Sequence, residues 1–296
     1  MGKLFIILQY LLPHHFLSAV MHRVTRVEWT PFKNYLIRRV ISLYNVDMSV
    51  AEDENPLNYR SFNAFFTRRI KADQRPIAGD GKIASPVDGT VSQAGYIDQG
   101  DIFQAKNHTY TLVELLGGNQ HLANEFENGQ FATIYLSPRD YHRIHMPCSG
   151  KLRQMIHVPG RLFSVNPLTT NEVPRLFARN ERVISIFDSE DGPFAVIMVG
   201  AIFVSSMDTV WSGTITPLRN RPSTWQYQYS QSSATNTIQL DKGDEMGRFN
   251  MGSTVILLFP EQLTTWFEDF VPNASVKMGQ PIGSLTKTIP AESEKA

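Results

Sequence analysis

The sequence predicts an α+β protein, with an amphipathic helical region at the N-terminus ahead of a β-rich, barrel-sandwich-like body. Three observations carry that prediction. Residues 1–71 are helical in period, aromatic and basic, whereas from about Lys82 the chain changes to short β runs broken by turn residues. Two segments, Lys242-Gly243-Asp244-Glu245-Met246-Gly247 and Met278-Gly279-Gln280-Pro281-Ile282-Gly283, place glycines four apart with an apolar residue before the second. Such an echo fits an internally repeated element in a small sandwiched body. At 296 residues the chain is long enough to bury a substantial core. The expected division is a membrane-associating region over 1–71 and a catalytic domain over 72–296.

The elements follow in order. Lys3 and the apolar run Leu4 to Leu12 imitate a signal peptide, but Gln9 interrupts the run and Pro13, His14 and His15 close it. No small-x-small cleavage pattern follows, and the run is shorter than the roughly 20 residues a spanning helix needs. An interfacial anchor fits better, with a helix packed on the protein's own core as the plainer alternative. Thr30 is placed to cap a second helix, with Pro31 in its first turn and Phe32, Tyr35, Leu36, Val40 and Leu43 as its apolar stripe. Ser61 caps a third, carrying Phe62, Phe65 and Phe66, with Arg68, Arg69 and Lys71 toward its C-terminal end. The β runs expected beyond are Gly89–Gly95, Phe131–Leu136, Arg182–Phe187 and Phe194–Val204, the last two joined by a hairpin at Asp191-Gly192. A further apolar strand spans Val255 to Phe259.

Charge narrows the function classes. The 28 basic and 28 acidic residues balance, which argues against a nucleic-acid partner. Residues 1–76 nevertheless hold 11 Lys/Arg against 6 Asp/Glu, so a cationic front precedes an anionic body, as suits an anionic membrane surface. Cys148 is the sole cysteine, which excludes an intrachain disulfide.

Reactive side chains concentrate in three places: Asp88 in the turn Ser85-Pro86-Val87-Asp88-Gly89; His142 and His145 in Asp140-Tyr141-His142-Arg143-Ile144-His145; and Ser253, which follows Gly252 at the mouth of an apolar strand. An isolated Asp-Gly is commonly only a turn, and an isolated histidine commonly structural. His142, His145 and Cys148 stand at three-residue intervals, but no second Cys/His cluster completes a zinc site, so no metal is expected. Asp88, His145 and Ser253 could supply an orienting acid, a base and a hydroxyl nucleophile. The Gly-x-Ser-x-Gly elbow of a hydrolase is absent. Gly252 offers Ser253 a peptide carbonyl with almost no steric protection.

The Gly252-Ser253-Thr254 motif, the Ser85–Gly89 turn and the Tyr141–His145 segment together resemble bacterial phosphatidylserine decarboxylases, and the likeness runs over nearly the whole chain. Met251 departs from the leucine usual there, a nearly volume-conserving change. The resemblance implies that His145, oriented by Asp88, activates Ser253 to attack the Gly252 carbonyl. The chain is then cut into a β chain (1–252) and an α chain (253–296) that stay associated. Ser253 becomes a covalent pyruvoyl group, which forms a Schiff base with the phosphatidylserine amine and accepts the electrons released with carbon dioxide. His142 is the residue expected to assist decarboxylation. The resemblance further implies a peripheral protein on the cytoplasmic face of the bacterial cell membrane, acting on phosphatidylserine in an anionic bilayer and compatible with a homo-oligomer. Three rivals predict something else: a serine hydrolase with the same triad in an uncut chain; a lipoyl or phosphohistidine carrier modified at Lys242, His142 or His145; and a pyruvoyl decarboxylase of a soluble amino acid.

Overall fold

The computed structural model describes residues 2–105, 108–202, 206–215, 223–226 and 237–286. Its architecture is α+β. Ser253–Phe259 is buried at every position, as an uninterrupted apolar run requires, and lies between Pro193–Val199 and Gln130–Leu136 in a nine-stranded antiparallel sheet. Outward from Pro193–Val199 come Arg182–Asp188 and Gly150–Val158; outward from Gln130–Leu136 come Gly89–Tyr96 and Ser275–Val276. The hairpin at Asp191-Gly192 forms, with the Ser189 amide donating to the Gly192 carbonyl. The expected run to Val204 ends as a strand at Val199, and residues 203–205 lie outside the described residues.

A four-stranded sheet contains Arg143–His145 and Glu245–Phe249, and a three-stranded sheet contains Lys82–Ala84 and Pro281–Leu285. Among the described residues, none of these sheets closes into a barrel.

The glycine echo extends further than its two short segments suggested. Gly243 and Gly279 both have positive φ, and a Cβ at either would collide with Ile77. Each turn is tied in the same way: the Lys242 amide donates to Ser149 Oγ at 2.9 Å, and the Met278 amide donates to Asp88 Oδ1 at 2.8 Å. The Gly243 and Gly279 amides donate to the carbonyls of Met146 and Ser85. Pro86-Val87-Asp88-Gly89 and Pro147-Cys148-Ser149-Gly150 therefore occupy equivalent positions in two interlocked halves, with the Ala84 amide bound to Pro147 O and the His145 amide to Pro86 O.

The front of the chain is helical over Gly2–Leu11, His14–Val24, Thr30–Tyr44 and Phe62–Phe66. Ser61 caps the last, accepting from the Ala64 amide, but Arg68, Arg69 and Lys71 lie beyond its end. Thr30 is the first helical residue, and Trp29 takes the cap position with no side-chain bond. The stripe expected on this helix also divides. Leu36 and Val40 pack on a cluster of Ile37, Phe62, Phe65 and Phe66, while Tyr35 and Leu43 face outward. Lys33 is buried in their stead, because its flexible stem carries Nζ to the Leu57 carbonyl and Asn34 Oδ1. Met251 packs on the same cluster, so the helical region touches the segment that leads into Ser253.

Candidate active site

The Ser253 strand begins at the rim of the main sheet, opposite Leu136, and its first hydroxyl is entirely buried. Ser253 Oγ has no hydrogen-bond partner. An unpaired buried hydroxyl normally costs on the order of 1–3 kcal/mol, but the neighbouring Thr254 Oγ1 is unpaired too, so Ser253 is singled out by its place at the Gly252 peptide near His142.

A second orphan stands beside it. His142 is fully buried beneath the Phe66 ring, at 4.1 Å between centroids. Its Nδ1 donates to the Asp140 carbonyl at 2.9 Å, which leaves Nε2 as the unprotonated nitrogen, and Nε2 has no partner. A methyl built on Gly252 would lie 4.0 Å from that nitrogen. Burial, with the nearby Arg68 charge adding to it, pushes the His142 pKa down to about 3, so the ring is neutral and a weak base.

His145 is held differently. Its Nδ1 donates to the Gly243 carbonyl at 2.7 Å, and Nε2 accepts from Tyr141 Oη at 3.0 Å. Burial lowers its pKa, but the Gly243 carbonyl and the Glu245 charge pull the other way. Burial raises the Tyr141 phenol well above its ordinary value, so it donates to His145 as a neutral hydroxyl.

Asp88 is brought into the same neighbourhood, but not into contact with His145. Its carboxylate receives the Arg75 guanidinium through two bonds, of 2.9 and 2.6 Å, and the Met278 amide. Asp88, expected to orient His145, is hydrogen-bonded to Arg75 and Met278 instead. The acid anchors its own turn, and that turn holds His145 through the Pro86 carbonyl. The physical reason is the internal repeat, which assigns position 88 to tethering the Lys277–Gln280 turn.

Cys148 lines a cavity of about 580 Å3 to which neither histidine contributes, its thiol pushed up to about 12 by burial. Among the described residues, no three His, Cys, Asp or Glu side chains cluster as metal ligands. Sequence reasoning missed Arg75, which carries no local motif, and the lid formed by Phe66. The clue to Phe66 was the Phe62, Phe65 and Phe66 spacing, read only as part of an aromatic, basic helical region suited to a membrane surface.

A family profile for phosphatidylserine decarboxylase matches residues 62–284, and a second, described as PSD, matches residues 4–45. The phosphatidylserine decarboxylase proenzyme of Bordetella pertussis is 52% identical over 287 residues, covering 97% of this chain and 96% of its own. That of Azotobacter vinelandii is 52% identical over 288 residues, covering 96% and 99%. That of Alkalilimnicola ehrlichii is 58% identical over 252 residues, covering 85% and 86%.

Proposed function

The chain belongs to the phosphatidylserine decarboxylase family, and from that premise we propose that it is a self-cutting proenzyme that converts phosphatidylserine to phosphatidylethanolamine and carbon dioxide. The observation that carries the reading is the pair of buried orphans, Ser253 Oγ and His142 Nε2, at the Gly252–Ser253 peptide. In maturation Ser253 Oγ attacks the Gly252 carbonyl carbon, the peptide C–N bond breaks, and the acyl group moves to oxygen. Loss of the Ser253 Cα proton then expels the Gly252 carboxylate. Water converts the remaining dehydroalanine to a pyruvoyl group and ammonia, leaving residues 1–252 and 253–296 packed together.

The two histidines divide the work. His142 is the closer, but a nitrogen with a pKa near 3 is a poor acceptor for a serine proton. His145 is less penalised, being supported by the Gly243 carbonyl and Glu245, and would have to release Tyr141 from Nε2 to take the Ser253 proton. Hydrogen bonds of this kind commonly tighten only in the reacting complex. His145 is therefore assigned to maturation, with Asp88 acting through its turn, and His142 to decarboxylation, where it stands beside residue 253. The space around residue 253 fits a pyruvoyl group, which is no larger than the residue it replaces: its methyl carbon is the buried Ser253 Cβ, and its keto oxygen takes the place of the Ser253 nitrogen where the Gly252 peptide had been. That group supplies an electron sink for the substrate amine. His142 then excludes water, and its unpaired Nε2 is the nitrogen through which a proton would pass to the carbon that loses carboxylate.

Membrane docking has its own support. In Gly2–Leu11 and His14–Val24 the polar residues Gln9, His14 and Ser18 are buried: Gln9 Oε1 accepts from the Ser164 amide, and His14 Nδ1 accepts from the Leu162 amide. The apolar residues face outward, with Leu11 73% and Phe16 66% exposed. No single described helix is long and apolar enough to cross a membrane, and these two meet at a bend of 86°. We assign them to the surface of the cytoplasmic leaflet of the cell membrane, where a diacyl substrate stays.

Mass under denaturing conditions tests the reading. Two polypeptides are expected, the smaller beginning with a pyruvoyl-blocked residue 253. Ser253→Ala should remain whole. His145→Ala should remain largely whole, and His142→Ala should be cut yet lose at least roughly 100-fold in turnover. A single full-length species that still decarboxylates the lipid would overturn the mechanism.

A further inference from the structure

Arg68 has no place in the scheme so far, yet it is 3% exposed and carries a full charge. Its Nη2 donates to the Arg139 carbonyl at 3.0 Å, and its guanidinium lies 5.5 Å from the Phe65 ring centre. Nε and Nη1 have no partner. A buried guanidinium with two idle donors is among the costlier arrangements a fold can keep, and it is retained where an anion arrives to fill it.

The surroundings agree. Arg68 lines a cavity of about 290 Å3 together with Asp47, Arg75, Asp88, Arg139, Asp140 and Lys277. Four cations thus face three carboxylates. Asp88 is taken by Arg75 and the Met278 amide, Asp47 by Ser49, and Asp140 by the Ser137 amide and hydroxyl. None of them is hydrogen-bonded to Arg68, and one positive charge is left over. The cavity adjoins the site through its own wall, because the Asp140 carbonyl holds His142 and Tyr141 Oη holds His145. It also reaches Asn45, which ends a helix whose Leu43 and Tyr44 are exposed.

We propose that Arg68 receives the phosphodiester of the phosphatidylserine headgroup, its buried charge and idle N–H donors turned to a phosphate beside the Gly252–Ser253 site. This assignment rests on the decarboxylase reading above. The substrate offers two anions, and the chemistry chooses between them. The carboxylate loses its charge as carbon dioxide leaves, so an arginine paired with it would stabilise the ground state over the transition state and slow the reaction. The phosphodiester keeps its charge throughout, so a guanidinium with idle donors holds it equally in the ground state and the transition state.

The product makes the test decisive, since phosphatidylethanolamine keeps the phosphodiester and lacks the carboxylate. Maturation is read by mass, and carbon dioxide release is followed in mixed micelles of phosphatidylserine with phosphatidylethanolamine added as inhibitor. For Arg68→Gln, the KM for substrate and the Ki for product are expected to rise together, by roughly 30- to 100-fold, with kcat changed much less. A raised KM with an unchanged Ki would place the carboxylate on Arg68 and overturn the proposal, as would two unchanged constants. Should Arg68→Gln remain uncut, Arg68→Lys, which keeps the charge and loses the planar set of directed donors, is expected to be cut and to raise both constants about three- to tenfold. An uncut Arg68→Lys, or one with both constants unchanged, also overturns it. The wild-type chain is measured first: if that is uncut or releases no carbon dioxide, the functional reading fails, whereas the Arg68 assignment is judged only on ratios to an active wild type.

Discussion

Among single residues, Asp88 shows how burial and pairing set pH behaviour. Burial pushes its carboxyl upward, but the Arg75 fork, the Met278 amide and the Arg75 and Lys277 charges outweigh that and hold it below its ordinary 3.8. A carboxyl depressed in the fold adds stability that is complete above the unfolded value and is lost as pH falls through the folded one. The wild-type protein should therefore lose stability below about pH 4, and Asp88→Asn should show a flatter acid limb. At neutral pH the variant should be about 3 kcal/mol less stable, because a buried Arg75 is left without its anion. Urea unfolding across that pH range checks both, and an unchanged acid slope would show that Asp88 does not titrate with folding. The sequence made Asp88, His142, His145 and Ser253 visible as reactive types, but it could not show their pairings. The partner of Asp88 is thirteen residues upstream, at Arg75, in a stretch with no motif, and His145 and Tyr141 meet only once the Arg143–His145 strand forms.

Single elements were legible where periodicity was strong and buried on both sides. Ser253–Phe259 and the Arg182–Asp188/Pro193–Val199 hairpin reported themselves through uninterrupted apolar runs and an Asp-Gly turn. The Thr30–Tyr44 helix was placed correctly, but its faces were not. Trp29, Tyr35 and Leu43 are apolar residues held outward, and an inward Lys33 defeats a reading that equates apolar with buried. The glycine echo was legible as spacing, whereas its cause, Ile77 wedged between two positive-φ turns, was not. That wedge makes a prediction. Gly279 has φ 85°, and a Cβ there would lie 2.6 Å from the Pro76 carbonyl oxygen; Gly81 has φ 67° and open space around it. Gly81→Ala should cost only the left-handed penalty of roughly 1–2 kcal/mol. Gly279→Ala should cost that plus the displacement of Pro76 and Ile77, and should also loosen Asp88 through the Met278 amide. Thermal melts should rank Gly279→Ala lower by several degrees, and equal melting temperatures would remove the wedge from the argument.

Across the whole molecule, the N-terminal helices and the catalytic body are joined in two ways that pull function in one direction. Gln9 and His14 fasten the first two helices to the Leu162–Ser164 segment, and Met251 rests on the Ile37 and Phe66 cluster just ahead of the cut. Apolar side chains that a soluble body would turn inward, among them Leu8 and Leu11, are left facing out. Burying each in a bilayer interface contributes on the order of 1.5–3 kcal/mol, and an acid in its place is repelled by anionic lipid. A Leu8→Glu/Leu11→Glu double variant should therefore fold and be cut as the wild type is, because neither side chain contributes to the core. Its binding to phosphatidylglycerol-containing vesicles should fall more than tenfold in co-sedimentation. Its activity should fall on bilayer phosphatidylserine and survive on a short-chain, dispersed form of the same lipid. Retained vesicle binding would move the docking surface elsewhere, and loss of activity on both forms would mean that the helices shape the active site rather than deliver it to the membrane.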